Sequence, residues 1–164
     1  ASWGDLIANT TGSALALAQE YYWDDIYIQP KYSFHTTPYS TIRPNTLGDG
    51  LNEQMLKDYN GQTLWLSSNI YPIFKQETKF PKWINIAIGY GAYDMLYGSP
   101  SENQLNGHNA YRQWYISPDI DLTKIPVKHK SLKVILYALN VIKIPFPTLE
   151  YNSKDGLIGH YLYF

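Results

Sequence analysis

The sequence predicts a mainly antiparallel β fold with one or two packed helices, closed or nearly closed as a small barrel of the outer-membrane type. The alternative is a soluble periplasmic α+β domain. Three observations lead there. Stretches of about ten residues alternate apolar with polar or small side chains, the period of a two-faced strand and close to the roughly 9–11 residues of a tilted membrane-spanning strand. Aromatic residues make up 16% of the 164 residues, with 16 tyrosines against 5 tryptophans and 5 phenylalanines. Tyrosine suits places where an apolar and a wet phase meet. The last alternating stretch ends the chain on Phe164, as the closing strand of an outer-membrane barrel does.

Taken in order, Asp5 to Tyr21 has helical periodicity, with Asp5 placed as an N-terminal cap or first-turn acid and residues 1–22 read as one helix. Ala8, Gly12 and Ala16 share one face at fourfold spacing, a small-residue stripe that lets a neighbouring helix or a sheet approach closely. From Ile26 the period becomes two. Ile26, Ile28, Pro30, Tyr32 and Phe34 point one way, and Tyr27, Gln29, Lys31, Ser33 and His35 the other. Pro38 to Gly50 reads as a loop and Asn52 to Asn60 as a short helix closed by Asn60-Gly61. Thr63 to Ile73 fits helix or strand. Trp83 to Ala92 and Arg112 to Leu122 repeat the two-faced strand, and Gly89 and Gly91 make room for a bulky neighbour such as Trp114 or Tyr115. Leu132 to Ile142, an apolar element near 131–143 with lysines around it, fits a helix packed on a sheet or lying at a membrane interface, or a buried strand. Finally Ile158, His160, Leu162 and Phe164 alternate with Gly159, Tyr161 and Tyr163.

Composition sets the outer limits. The length suits a single domain, 1–164, with its own core. The 13 Lys and Arg nearly balance the 14 Asp and Glu, leaving no basic surface for a run of phosphates, so nucleic acid is not an expected partner. Without cysteine there are no disulfides, thiolate metal sites or cysteine nucleophile. No apolar run reaches the roughly 20 residues of a transmembrane helix. A start at Ala1-Ser2-Trp3-Gly4 with neither Met nor a basic leader reads as a processed or truncated product.

Two sets of residues carry a resemblance. Asp5-Leu6-Ile7-Ala8-Asn9-Thr10-Thr11-Gly12 is similar to the D-x-x-A-N-x-x-G helix of VanZ-like membrane proteins. Together with Tyr32-Ser33-Phe34-His35-Thr36, Arg43-Pro44, Lys57-Asp58-Tyr59-Asn60-Gly61-Gln62-Thr63, Gly89-Tyr90-Gly91-Ala92 and Asp119-Ile120-Asp121-Leu122, it resembles the YfiM-like family of predicted bacterial envelope lipoproteins, in the long form found in Bacteroidota. The resemblance spans nearly the whole chain, with residues 57–63 its most specific part. It implies a cell-envelope location, the outer membrane first and the periplasm as alternative, and no established activity. Members usually carry an earlier helical section with an Asp-Lys-x-x-His element and a leader. Neither is present, which makes this chain the later part of a longer protein.

For chemistry, His35 lies on the polar strand face with Ser33 and Lys31. In a closed barrel or cleft these would converge with Ser117, Asp119 and Asp121, an inventory of base, hydroxyl and carboxylates suited to acyl transfer. Polar interiors are obligatory in such barrels, so a network that merely satisfies buried polar groups is the simpler reading. Asp119 and Asp121 sit about 7 Å apart on one strand face, too few oxygens for calcium and better suited to a pair beside Lys124 or Arg112. His108 and His129 read as solvated loop residues. No metal or cofactor is expected. Tyr32, Phe34, Tyr90, Trp114 and Phe164 are the expected membrane or interface aromatics. The function these features favour is a non-enzymatic accessory or structural subunit of an outer-membrane complex, in contact with lipid and with other outer-membrane proteins. The alternatives are a lipid- or acyl-modifying envelope enzyme with His35 as base, and a lipid-binding barrel.

Overall fold

Strand pairing follows the period-two stretches. The computed structural model describes residues 3–23, 25–74 and 79–164. Six strands, β1 (Ile28–Phe34), β2 (Gln62–Asn69), β3 (Ile84–Tyr93), β4 (Tyr111–Ile120), β5 (Phe146–Asn152) and β6 (Gly156–Tyr163), form one sheet in sequence order. Every neighbouring pair is antiparallel. The mainly antiparallel β expectation therefore holds. Thr63 to Ile73 resolves as strand over Gln62–Asn69, and Leu132 to Ile142 as helix over Lys130–Leu139. β5 was not anticipated, although Thr148, Glu150 and Asn152 alternate with Leu149 and Tyr151.

The faces are inverted relative to a sheet that buries apolar side chains. Lys31, Ser33, Thr63, Ser67, Asn85 and Asp119 are buried, while Leu64 is 62%, Ile88 57%, Trp114 52% and Leu149 50% exposed. The buried apolar cluster is Trp65, Ala87, Tyr115 and Tyr163. The polar face is the concave one. Thr63 Oγ1 on β2 lies 3.0 Å from Tyr163 Oη on β6, although a flat sheet would hold these strands roughly 19 Å apart. Small residues on β3 make the curl possible: a Cβ on Gly89 would stand 2.7 Å from the Trp65 ring, and one on Gly91 3.4 Å from Tyr115. Gly89 thus makes room for Trp65, across the β2–β3 ladder, and Gly91 for Tyr115.

The ladder itself is open. Among the described residues β6 pairs only with β5, and the other edge of β1 takes one short parallel bridge, with Tyr32 N–H donating to Val141 O and Lys143 N–H to Tyr32 O, each at 2.8 Å. A bulge between Phe146 and Thr148 places Tyr163 opposite Phe146 and His160 opposite Thr148. The simple alternation expected for the last strand breaks there, and Tyr163 joins His160 inside.

Connections at one rim hold short helices. α2 (Tyr39–Ile42), α3 (Pro44–Leu47) and α4 (Leu51–Lys57) link β1 to β2, so Pro38 to Gly50 is two helical turns rather than plain loop. α5 (Tyr71–Phe74), which follows β2, lies at the opposite rim, whereas α6 (Pro100–Leu105), between β3 and β4, lies at this one. The rim is tied by Asn60, which donates to Met95 O at 3.0 Å and accepts from Met95 N–H at 2.8 Å, over buried Leu47 and Leu96.

The two long helices correct the expectation of packed helices. We label Trp3–Trp23 α1 and Lys130–Leu139 α7. α7 buries no residue. Of the α1 side chains that are described, Gln19 alone is buried. It accepts from Tyr27 N–H at 2.9 Å and Ile28 N–H at 2.6 Å and donates to Ile28 O at 3.0 Å, capping the start of β1. Gly12 and Ala16 are exposed, with nothing within 4 Å of a Cβ at Gly12. The side chains of Asp5 and Ala8 lie outside the described set. No helix among the described residues is long and apolar enough to cross a membrane.

Candidate functional site

The concave face holds two polar clusters, each built from strand residues of one parity. The first centres on Asp119 of β4, which is 2% exposed. Lys31 Nζ from β1 pairs with its Oδ2 at 2.8 Å and also donates to Ile120 O at 2.7 Å. Ser67 Oγ from β2 donates to the same Oδ2 at 2.6 Å. Asn85 Nδ2 donates to Ser67 Oγ, and Asn69 Nδ2 to Asn85 Oδ1. Asp119 Oδ1 accepts no hydrogen bond and faces Lys143 Nζ at 3.7 Å. Asp119 thus ties β4 directly to β1 and β2, and Ser67 extends the network to Asn85 on β3.

Lys143 joins this cluster from the segment before β5. Its Nζ donates to Ile144 O at 2.7 Å, Pro118 O at 2.9 Å and Ser117 Oγ at 3.2 Å. The reason lies in the chain: Pro118 and Pro147 have no N–H, so the β4–β5 ladder spans only Gln113–Ile116 opposite Leu149–Asn152, and carbonyls at the seam need other donors. Burial pushes the Lys143 ammonium down to about 8, with Asp119 opposing and Lys31 reinforcing.

The second cluster centres on Glu150 of β5. Its Oε1 accepts from Gln113 Nε2 and Asn152 Nδ2, and its Oε2 faces His160 Nε2, all at 2.7 Å. Beside it Tyr163 Oη donates to Tyr115 Oη at 2.7 Å. Burial raises both phenols above their ordinary value, with each other's proximity contributing at Tyr115. Sequence reasoning passed over Lys143, Glu150 and His160. The alternation of Thr148, Glu150 and Asn152 was the available signal for Glu150, whereas Lys143 sits at the end of an apolar run with no period to mark it.

The residues singled out from the sequence do not assemble into a catalytic set. Ser33 Oγ accepts from Trp65 Nε1 at 2.9 Å. Asp121 accepts from Gln29 Nε2 at 2.8 Å and, through its other oxygen, caps the 3-10 turn Leu122–Lys124 at Thr123. His35 Nδ1 is buried with no hydrogen-bond partner, and its ring stands 5.6 Å from that of Tyr163. Burial lowers the His35 pKa, with the Phe164 backbone and Asp58 opposing. The cations expected beside the Asp119 and Asp121 pair are engaged elsewhere. Lys124 pairs with Asp25, and Arg112 stacks over Tyr90. His108 is not simply solvated, since its Nδ1 meets Asp94 at 2.7 Å. His129 is exposed at the N-terminus of α7. No group of three or more His, Asp or Glu among the described residues could hold a metal ion.

The convex face carries the expected aromatics in part. Tyr90 and Trp114 lie exposed with ring centroids 4.8 Å apart, and Phe164 is exposed at the chain end. Tyr32 and Phe34 are half-buried, and Tyr32 Oη donates to Met55 O at 2.5 Å. Comparison with protein-family models, with curated proteins and with solved structures finds no match for this chain.

Proposed function

We propose that the chain is a non-enzymatic structural or accessory subunit embedded in the bacterial outer membrane, where its convex face meets lipid and its open edge meets another protein of a larger assembly. One observation carries this reading: the sheet buries its polar face and exposes its apolar one. Fully burying a Leu, Ile or Phe side chain is worth roughly 1.5–3 kcal/mol, so about ten that stand half-exposed on one face forgo on the order of 10 kcal/mol in water. A bilayer recovers that term. In a small barrel the polar residues then belong inside, as in the Asp119 and Glu150 clusters. The outer membrane as the compartment is supported by the resemblance to YfiM-like envelope lipoproteins.

The edge of β6 supports an assembly. Lipid-exposed sheet edges do not occur in hydrocarbon, because unpaired N–H and C=O groups cost several kcal/mol each, and among the described residues the far edge of β6 carries no ladder. Membrane fractionation of the native protein, followed by mild-detergent pull-down, tests the proposal. The expected result is an outer-membrane protein that resists alkaline wash and co-purifies with stoichiometric partners. Recovery as a lone soluble monomer without detergent overturns it.

A second reading, acyl-modifying chemistry, draws on the contact between Ser117 Oγ and Lys143 Nζ at 3.2 Å, beside an apolar cleft between β4 and β5 lined by Ile116, Pro147 and Leu149. Serine with a desolvated lysine is a known nucleophile–base pair. It ranks second because Lys143 donates to three oxygens, the arrangement of an ammonium and not of a free base. Loss of an acyl-transfer product in Ser117→Ala, with the fold intact, would reverse the ranking.

A further inference from the structure

We infer that α7 is an interfacial helix that lies on an anionic lipid surface, and that it marks the rim of the sheet that sits at the anionic headgroups. This rests on the membrane reading above and adds to it an orientation and a lipid class. In the sequence Lys130-Ser131-Leu132-Lys133-Val134-Ile135-Leu136-Tyr137-Ala138-Leu139, Leu132, Ile135, Leu136 and Leu139 fall within one face at helical spacing. Lys130 and Lys133 lie on the other. That apolar face is left largely open: Leu132 is 41%, Ile135 53% and Leu139 46% exposed, and no residue of α7 is buried. A ten-residue helix is marginal in water without a surface to pack on. Among the described residues, the element it packs against closely is the short 3-10 turn Leu122–Lys124.

Charge decides which surface covers it. Lys128, Lys130 and Lys133 are all exposed, and none forms an ion pair among the described residues. The meander places residues 70–83 and 121–145 at the same rim, which adds exposed Lys79 and Lys82. Among the described residues of this rim, Lys124 pairs with Asp25 and the buried Lys143 faces Asp119, and the exposed acid nearby is Glu20 on α1. At the opposite rim the exposed charges are mixed, Asp49, Glu53, Glu102 and Asp155 with Lys57, Arg112 and Lys154. A helix with an apolar face and lysines on its polar face, next to an apolar sheet, has the chemistry that anionic headgroups recognise. A protein groove would match both the leucines and the lysines only if it carried an acidic rim.

The absence of cysteine permits a clean test. Single-cysteine variants Leu136→Cys on α7 and Leu66→Cys on the convex face of β2 carry an environment-sensitive fluorophore. The full chain is reconstituted in vesicles of phosphatidylcholine, with or without phosphatidylglycerol, whose acyl chains bear bromine quenchers. The Leu66→Cys probe is expected to be quenched in both. The Leu136→Cys probe is expected to be quenched strongly only with phosphatidylglycerol, and to lose that response in high salt and in the Lys128→Gln, Lys130→Gln, Lys133→Gln triple variant. Three lysines at an anionic surface shift the docking equilibrium on the order of 100-fold. If the β2 probe is quenched and the α7 probe is not, the inference fails while the embedded sheet stands. Equal quenching of the α7 probe in both vesicles overturns the anionic lipid class. If neither probe is quenched, the membrane reading fails as well.

Discussion

Lys143 shows what a single residue does for the fold. Two prolines at the β4–β5 seam leave carbonyls without ladder donors, and one ammonium supplies them. Its pKa drops from 10.5 to about 8 through burial, so the folded chain holds this proton less tightly than the unfolded chain. The cost is fully present below about pH 8. Stability from this group therefore rises with pH between about 8 and 10.5 and is flat beyond. Tyr115 and Tyr163, whose pKa values are raised, act in the opposite direction above their ordinary value. The difference between the native chain and Lys143→Met isolates the lysine: denaturant titration in detergent micelles is expected to show the rise in the first and none in the second. Gly89 makes the second prediction at this scale. A methyl there meets the Trp65 ring at 2.7 Å, so Gly89→Ala is expected to cost about 1–3 kcal/mol by overpacking and to shift Trp65 fluorescence. Gly98→Ala, with nothing within 4 Å, should leave that fluorescence in place.

Among the elements, α1 depends on one side chain. Gln19 satisfies both Tyr27 and Ile28 amides and the Ile28 carbonyl, so Gln19→Ala leaves groups at the β1 start unpaired, at roughly 1–3 kcal/mol. The expected readout is faster amide exchange at Ile28, with exchange at Ile116 on β4 unchanged. The strands themselves were legible where period two ran unbroken: Ile26 to His35 contains β1, and Trp83 to Ala92 and Arg112 to Leu122 each cover all but one end residue of β3 and β4. β5 was not, because Pro145 and Pro147 break its start and only five residues of clean alternation remain. The bulge before Tyr163 was equally hidden, since its one extra residue falls among Tyr161, Leu162 and Tyr163, whose types do not mark where the alternation shifts. Of the interior site, Ser33, Lys31 and Asp119 could be read as one polar face. That Lys31 would pair with Asp119 across β1 and β4 could not, because it depends on the curl allowed by Gly89 and Gly91.

At the scale of the whole molecule the question is which solvent the convex face meets. In water, an exposed Ile→Lys change on a sheet surface stays within about 0.5 kcal/mol of neutral and reduces aggregation. In a bilayer the same change costs about 2–4 kcal/mol near the midplane and falls toward zero at the interfaces. Ile88 stands mid-strand on β3, 57% exposed, with Leu66 and Ile116 as cross-strand neighbours. Ile88→Lys is expected to lower the stability of the chain in lipid vesicles by that 2–4 kcal/mol. Leu157→Lys, near the β5–β6 turn, should cost markedly less. A depth-dependent penalty requires a hydrocarbon slab around the sheet. Equal and negligible penalties at both positions would mean the apolar face is covered by protein or lies in water, and the embedded-subunit reading would not survive that result.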